Sequence, residues 1–156
     1  MSGAVDARLE ELGIEIPEAH PPIAAKIEGW ALHNDMLLIS GAVPKLGGVP
    51  QFIGKVGREF DLVQGQAAAR LSALCMLAQA KIALDGDLNR IKRILKLNGF
   101  VNATPDFVEI PQVVNGASEL FIDIFGEAGR HARTAVGVAV MPFEVAIEVE
   151  GTLIVD

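Results

Sequence analysis

The spacing of apolar residues predicts two main helices. Across residues 64–84 apolar side chains recur at steps of three and four, which places them on one helical face, and Gly86 supplies a stop just beyond. A second stripe of this kind covers residues 111–125 and opens with a proline, which suits the first turn of a helix. We also expect a short helix over residues 5–12, ended by Gly13.

Two apolar runs near the N-terminal end predict a β-hairpin. The runs are residues 23–33 and 36–40, and a polar pair at residues 34–35 separates them. Residues 41–57 follow with five of the 16 glycines, so we expect a long loop there, with a short strand near residues 51–53. Loops of this length in compact domains are usually functional or mobile.

Three later runs predict the remaining strands, at residues 91–101, 134–140 and 145–155. Alternation along the first of these places on one face Ile94, Lys96 and Asn98. The order β-β-(β)-α-β-α-β-β favours an α+β fold, a mixed sheet with two helices packed on one face. The other face of the sheet then has no cover from its own chain.

Composition suggests what covers that face. Of the 156 residues 51% are apolar and 21% are charged, so disorder is unlikely to describe any large part of the chain. The length fits one domain over residues 1–156, with residues 1–20 as an N-terminal extension. Because a domain of this size buries only about 70% of its unfolded surface, the apolar surplus suggests contact with another subunit.

Charge and hydropathy argue against several partners. The net charge of -7 and the pI of about 4.9, without a Lys/Arg cluster, oppose nucleic-acid binding. No run approaches the roughly 20 apolar residues that cross a bilayer, and the N-terminus shows no signal-peptide pattern. We therefore expect a cytoplasmic protein without a membrane partner.

Metal and thiol chemistry have little support in the sequence. His20, His33 and His131 are scattered without ligand spacing, so no metal site is expected. Cys75 lies in an apolar run, and we interpret it as a buried small hydrophobe rather than a reactive thiol. The chain has no tyrosine to act as an acid or a base.

Two charged residues in the last predicted strands are candidates for chemistry. Arg133 begins a face of small residues, which permits close approach by a ligand, and Glu148 lies in the middle of a strand. Each also has an explanation without function, as an edge arginine and as part of an exposed sheet face. If Val140 pairs with Val145 in a hairpin, Arg133 and Glu148 share a face, roughly 13 Å apart along the strands. A small ligand could then sit between them, or Glu148 could meet Arg133 of a neighbouring subunit.

A set of short motifs in fixed order resembles the Rid family, also called YjgF-like proteins, over about residues 20–155. The motifs are Ser40-Gly41 with Pro44, Gly54-Lys55-Val56-Gly57, Ala68-Ala69-Arg70, Gly86-Asp87-Leu88, Leu95-Lys96-Leu97, Asn115-Gly116-Ala117-Ser118, His131-Ala132-Arg133-Thr134 and Met141-Pro142. The resemblance implies a chorismate-mutase-like fold and a homotrimer with a barrel-like core, whose active sites lie between subunits. It also implies hydrolysis of reactive 2-enamine and 2-imine acids to 2-keto acids and ammonia, with no cofactor.

The resemblance also implies roles for individual residues. Arg133 would clamp the carboxylate of a small 2-imino or 2-keto acid, for which a planar guanidinium is suited. Glu148 would hold the water that attacks the imine carbon.

The remaining site residues implied by the resemblance would bind substrate. Ser40 and Gly41 would line the cleft, Asn115 would match a helix asparagine, and Ala135 would be a backbone contact where many members have cysteine. The position of a family tyrosine falls near Ile27, so this chain departs from the pattern there.

Other functions stay open at this point. Loss of the tyrosine also fits a regulatory protein that binds a small carboxylate without turnover. An endoribonuclease, a label attached to some family members, is opposed by the acidic charge and the scattered histidines. His131 could be solvated, structural or catalytic.

Overall fold

The structure, a computed structural model, describes residues 3–20, 22 and 26–156. One mixed sheet contains five strands, namely β1 (Trp30–His33), β2 (Met36–Ala42), β5 (Ile91–Asn102), β6 (Ala132–Val138) and β7 (Ile147–Val155). Their order across the sheet is β1-β2-β7-β5-β6. A separate ribbon pairs β3 (Lys45–Leu46) with β4 (Val49–Pro50).

The helices are α1 (Ala4–Leu12), α2 (Leu62–Ala83) and α3 (Ile110–Phe125), as the apolar periodicity predicts. A capping box starts α2, where the Asp61 carboxylate accepts from the Gln64 N–H at 2.8 Å and the Gln64 side chain accepts from the Asp61 N–H at 3.0 Å. Gly13 ends α1 in the left-handed conformation at φ 63°.

Helices α2 and α3 pack together on one face of the sheet, and the core lies between them and the strands. Gly116 allows this approach, because a methyl group there would collide with the backbone carbonyl of Gln66 in α2. On the opposite face the exposed fractions of Met36, Leu38 and Val136 are 39%, 44% and 43%. The predicted α+β architecture, with two helices on one face of a mixed sheet, is confirmed.

The first hairpin is confirmed at its turn, where His33 pairs with Met36, but its first strand is shorter than predicted. Strand β1 begins only at Trp30, and residues 23–25 lie outside the described residues. The Ser40 hydroxyl donates to the Glu28 carbonyl, and the Ser40 N–H donates to the Gly29 carbonyl. Residues 28–29 are therefore bonded to an irregular part of β2.

The predicted loop at residues 41–57 contains the β3–β4 ribbon, earlier than the short strand expected near residues 51–53. Gly47 and Gly48 form its turn with φ of 57° and 77°, the conformation that tight hairpins favour. Ile53 makes only an isolated bridge to Val145.

The predicted faces of β5 are wrong at Ile94. The register against β7 shifts between Ile94 and Lys96, so Leu95 is an extra residue in a bulge. Ile94 consequently turns to the helix side, where it is fully buried like Leu97, while Lys96 and Asn98 stay on the open face.

The last two strands do not form the predicted hairpin. Strand β6 pairs in parallel with β5, and β7 pairs antiparallel with β5 on its other edge, so Val140 does not pair with Val145. A 3-10 turn at Pro142–Glu144, with Phe143 and Glu144 at φ 56°, occupies the connection between the two strands. Among the described residues, no helix is long and apolar enough to cross a membrane.

Candidate functional site

Arg133 lies on the edge strand β6, and its side chain turns toward the helices. Its partner in β5 is Leu97, a fully buried core residue, so Arg133 shares the helix face of the sheet. The guanidinium Nη1 donates to Asn115 Oδ1 at 2.8 Å and to Ser118 Oγ at 3.1 Å. Asn115 and Ser118 are three residues apart in α3, which places both on the side that meets β6.

His131 extends this hydrogen-bond network from the start of β6. Its Nε2 is 2.9 Å from Ser118 Oγ, and its Nδ1 is 2.6 Å from the carbonyl oxygen of Gly129. The imidazole also contacts the Phe121 ring edge-to-face at 6.0 Å. We call Asn115, Ser118, His131 and Arg133 the arginine cluster.

The charge of Arg133 is not neutralised within the described part of the chain. No carboxylate forms an ion pair with it there, and the Nε and Nη2 donors have no hydrogen-bond partner among these residues. Burial lowers the pKa of the Arg133 guanidinium from its ordinary value. Burial is also the main cause that lowers the pKa of His131; the bond to Gly129 opposes this shift, and the Arg133 charge adds to it. The lowered pKa favours the neutral imidazole.

A cavity of about 300 Å³ lies beside β2 and β7, which β5 separates from β6. It brings together four of the residues predicted for the site, Ile27, Ser40, Gly41 and Glu148. We call it the glutamate cavity. Its other walls come from the N-terminal segment, the β3 region, α2 and the turn before β7, through Glu18, Ala19, His20, Pro22, Gly29, Ala42, Val43, Lys45, Cys75, Gln79, Pro142 and Phe143.

Glu148 faces this cavity from the open face of the sheet, because its partner in β5 is Phe100 rather than a core residue. Burial raises the pKa of the Glu148 carboxyl, and the nearby charge of Glu150 raises it further. No donor bonds to the Glu148 carboxylate among the described residues, whereas Glu150 accepts from Asn98 Nδ2 at 3.0 Å. A methyl group on Gly41 would collide with the Glu148 carboxylate, so a larger residue there would force this side chain to move.

The other predicted residues in the cavity contribute its walls. Ser40 is held in place because its hydroxyl donates to the Glu28 carbonyl at 2.6 Å. Ile27, near which the position of the family tyrosine was expected, is 58% exposed. Cys75 is half-buried; its thiol donates to the Lys45 carbonyl at 3.3 Å, and burial raises its pKa, so the reactive thiolate is disfavoured.

The structure separates the two charged candidates instead of placing them on one face. Arg133 is on the helix face of β6 and Glu148 on the open face of β7, with β5 between them. The backbone offset is about 10 Å across the strands and about 10 Å along them. The predicted common face is therefore wrong, because it assumed a β6–β7 hairpin.

Ala135 pairs with Gly99 and packs against the core, on the side of Arg133 and Asn115.

Ser118 was not among the residues predicted for the site, and His131 was left without a role. A usable signal existed for Ser118, because it lies three positions after Asn115 in a predicted helix and would share its face. The part of the cavity wall formed by Glu18 and His20 carried no such signal, because this contact joins segments that are distant in sequence.

A second cavity, of about 280 Å³, is lined by polar groups that include Lys55, Glu59 and Asn102. Lys55, in the glycine-rich motif, donates from Nζ to the Ala139 carbonyl at 2.8 Å and also to Asn102 Oδ1, so its ammonium holds neighbouring backbone segments together. Within residues 3–20, 22 and 26–156, no three His, Cys, Asp or Glu side chains are grouped to hold a metal ion.

Comparison with known proteins connects this geometry to a family. The family model "YjgF/chorismate_mutase-like, putative endoribonuclease" matches residues 6–150. The chain belongs to this family. A curated relative of this YjgF-like protein, Protein TCP17 of Trypanosoma cruzi, is 47% identical over 152 residues, which are 96% of this chain and 92% of that protein.

Solved structures fall at two levels of similarity. Atu1372 of Agrobacterium tumefaciens has a TM-score of 0.91 at 42% identity and covers 98% of this chain and 93% of its own. Escherichia coli TdcF, solved with bound serine, has a TM-score of 0.61 at 20% identity, over 91% of this chain and 99% of its own. The second likeness shows the shared fold alone, while the first includes 42% identity in sequence.

Proposed function

We propose that this protein hydrolyses small 2-enamine and 2-imine acids to 2-keto acids and ammonia, at clefts between the subunits of a homotrimer. The observation that carries the proposal is the half-buried Arg133 guanidinium, which no carboxylate of the described chain neutralises. A cation kept in this state is suited to an anionic ligand.

Arg133 would bind the substrate through its carboxylate. Asn115 and Ser118 occupy Nη1, so the Nε and Nη2 donors form the free side of the guanidinium. These donors are directed to the same side and match the two oxygens of a carboxylate, which gives a strong and directional charge-assisted pair. The carboxylate fixes the orientation of the imine carbon beside it.

Glu148 would act on the attacking water. Its raised pKa favours proton transfer closer to neutral pH than an ordinary glutamate allows. The carboxylate accepts a proton as the water oxygen bonds to the imine carbon, and the proton passes to the nitrogen. The hydroxyl proton of the resulting intermediate is then transferred to the amino nitrogen, the C–N bond breaks as the C=O bond of the 2-keto acid forms, and ammonia leaves. Positioning of water and substrate accounts for the rate gain, and no cofactor takes part in these steps.

Both residues can serve one substrate only if they come from different copies of the chain. Within one copy they point to opposite faces of the sheet. The open face exposes Met36, Leu38 and Val136, which supports burial against neighbouring copies. TdcF with bound serine also supports a small ligand with a carboxylate in this fold.

The deciding experiment measures the loss of 2-iminobutyrate, generated in the assay, with wild type and Arg133→Ala. We expect wild type to accelerate the loss and Arg133→Ala to lower kcat/KM by at least about 100-fold, since a desolvated charge pair is removed. The control is Arg130→Ala, because Arg130 is exposed and, within the described part of the chain, its side chain pairs with Glu127 of the adjacent 3-10 turn and not with the arginine cluster. A wild-type protein inactive on a panel of imino acids would contradict the proposal.

A carboxylate-binding regulatory protein is the second candidate. It is favoured by the absence of any tyrosine, with Ile27 near the family position. Calorimetric binding of 2-ketobutyrate that depends on Arg133, in a wild-type protein without imine hydrolysis, would support this function instead.

A further inference from the structure

Ser118 and His131 lie behind Arg133, and the direction of every hydrogen bond between them can be assigned. The Gly129 carbonyl can only accept, so His131 Nδ1 carries a proton and donates to it. In the neutral ring, which the lowered pKa favours, Nε2 is then the acceptor for the Ser118 hydroxyl proton. The lone pairs of Ser118 Oγ are then available to the Nη1 donor of Arg133.

We infer that Ser118 and His131 are positioning residues that hold the Arg133 guanidinium in its carboxylate-binding orientation. This inference rests on the proposed function of Arg133. His131 fixes the rotation of the Ser118 hydroxyl, and Ser118, together with Asn115, fixes both Nη1 protons. Rotation of the guanidinium about its terminal bonds is then slowed, and its free donors stay on one side. Neither residue needs to touch the substrate.

The backbone around the pair keeps the arrangement rigid. Ser118 stands on the central part of α3, and His131 is fixed by Gly129 on one side and by the Phe121 ring on the other. A site supported in this way loses less side-chain entropy when it binds its ligand. The alternative is that Ser118 and His131 only join α3 to β6, in which case their loss would affect stability and leave the guanidinium unchanged.

The first test observes Arg133 directly by ¹⁵N NMR of the guanidinium groups in the full-length protein, assigned through Arg133→Lys. Slow rotation should give separate Nη1 and Nη2 signals in wild type. Ser118→Ala should speed the exchange between them about tenfold, as expected for one lost bond to a charged group. His131→Phe, which keeps an aromatic ring against Phe121 but has no ring nitrogen, should speed it as well. Ser118→Thr retains the hydroxyl and should keep the wild-type signals.

The second test is a double-mutant cycle with 2-ketobutyrate as a stable carboxylate probe. Ser118→Ala should weaken binding about tenfold beside Arg133 and less than about twofold beside Arg133→Lys, because a lysine ammonium has no fork to orient. Arg130→Ala is the control and should bind like wild type. Equal losses in both backgrounds, or a lowered Tm with unchanged Arg133 signals, would overturn the inference. The NMR result stands even if wild type hydrolyses no imine, so the two proposals can fail separately.

Discussion

The arginine cluster and the glutamate cavity carry opposite charges, and they differ in the hydrogen bonds that the chain gives to each charged group. In the arginine cluster, Asn115 and Ser118 of α3 accept hydrogen bonds from one side of the Arg133 guanidinium and leave the other side free, while His131 bonds to Ser118 behind them. In the glutamate cavity, the Glu148 carboxylate receives no hydrogen bond from the described chain, and both burial and Glu150 disfavour its ionised form. The guanidinium is therefore held in one orientation, whereas the ionised form of the Glu148 carboxyl is unfavourable in its surroundings.

This difference suggests which step each region serves. A guanidinium held by its own chain can bind a carboxylate without reorganisation, which suits recognition. A carboxylate with a raised pKa is a better proton acceptor near neutral pH, which suits catalysis on water. Each region is also incomplete alone: among the described residues, no carboxylate forms an ion pair with Arg133 and no cation forms one with Glu148. The comparison therefore depends on whether the two regions meet across a subunit boundary.

The largest expected effect comes from mixing two inactive variants. Arg133→Ala and Glu148→Gln should each lack imine hydrolysis, but co-expressed chains can assemble clefts with an intact Arg133 from one copy and an intact Glu148 from another. Random assortment in a closed ring restores about a quarter of the sites, and imine hydrolysis should recover in that proportion.

The control is the same mixture prepared from chains purified separately and combined without subunit exchange, which should stay inactive. Absence of recovery in co-expressed, co-purified chains would show that the two regions do not share one cleft. A monomer in solution would exclude the shared cleft as well.

A smaller effect is expected from Gly41→Ala, which disturbs only the glutamate cavity. The added methyl group collides with the Glu148 carboxylate, which must turn away, and a displacement of this kind should lower kcat/KM for 2-iminobutyrate about tenfold. Binding of 2-ketobutyrate, which depends on the arginine cluster, should change much less.

The matched control is Gly137→Ala in β6, where the new methyl group would meet the Ile110 side chain at an ordinary 3.4 Å. This variant should keep wild-type kinetics. If Gly41→Ala weakened 2-ketobutyrate binding as strongly as turnover, the division between recognition and catalysis would be wrong.

The sequence allowed most of the fold to be predicted, because periodicity is a local property. The stripes of α2 and α3 and the turn between His33 and Met36 are all visible in short windows. The pairing of β6 was mispredicted, because neighbours in sequence were taken as neighbours in the sheet. The helix between β5 and β6 was the better signal, since parallel strands require such a crossover.

The site was predictable only in part. Arg133 and Glu148 stood out as charges among small and apolar residues, and the family resemblance gave them roles. Their separation onto two faces depends on strand order, and the bulge at Leu95 depends on packing; neither is encoded in a local pattern. The support of Arg133 by Ser118 and His131 required the docking of α3 against β6.

The smallest expected effect is a pH-dependent difference in stability between wild type and Glu148→Gln. The pKa of Glu148 is raised in the folded state, so the folded protein binds the carboxyl proton more tightly than the unfolded chain does. The stability of the protein therefore falls as the pH rises above the ordinary pKa of 4.5. Glu148→Gln removes this cost, so its Tm should exceed that of wild type by about 2 °C or less at pH 7–8, with the gap closing near pH 4. Glu119→Gln, which removes an exposed carboxylate from α3, is the control and should show no such gap. A gap of equal size at both pH values would mean that Glu148 affects stability through packing and not through its charge. The difference between the glutamate cavity and the arginine cluster would then lie in packing rather than in electrostatics.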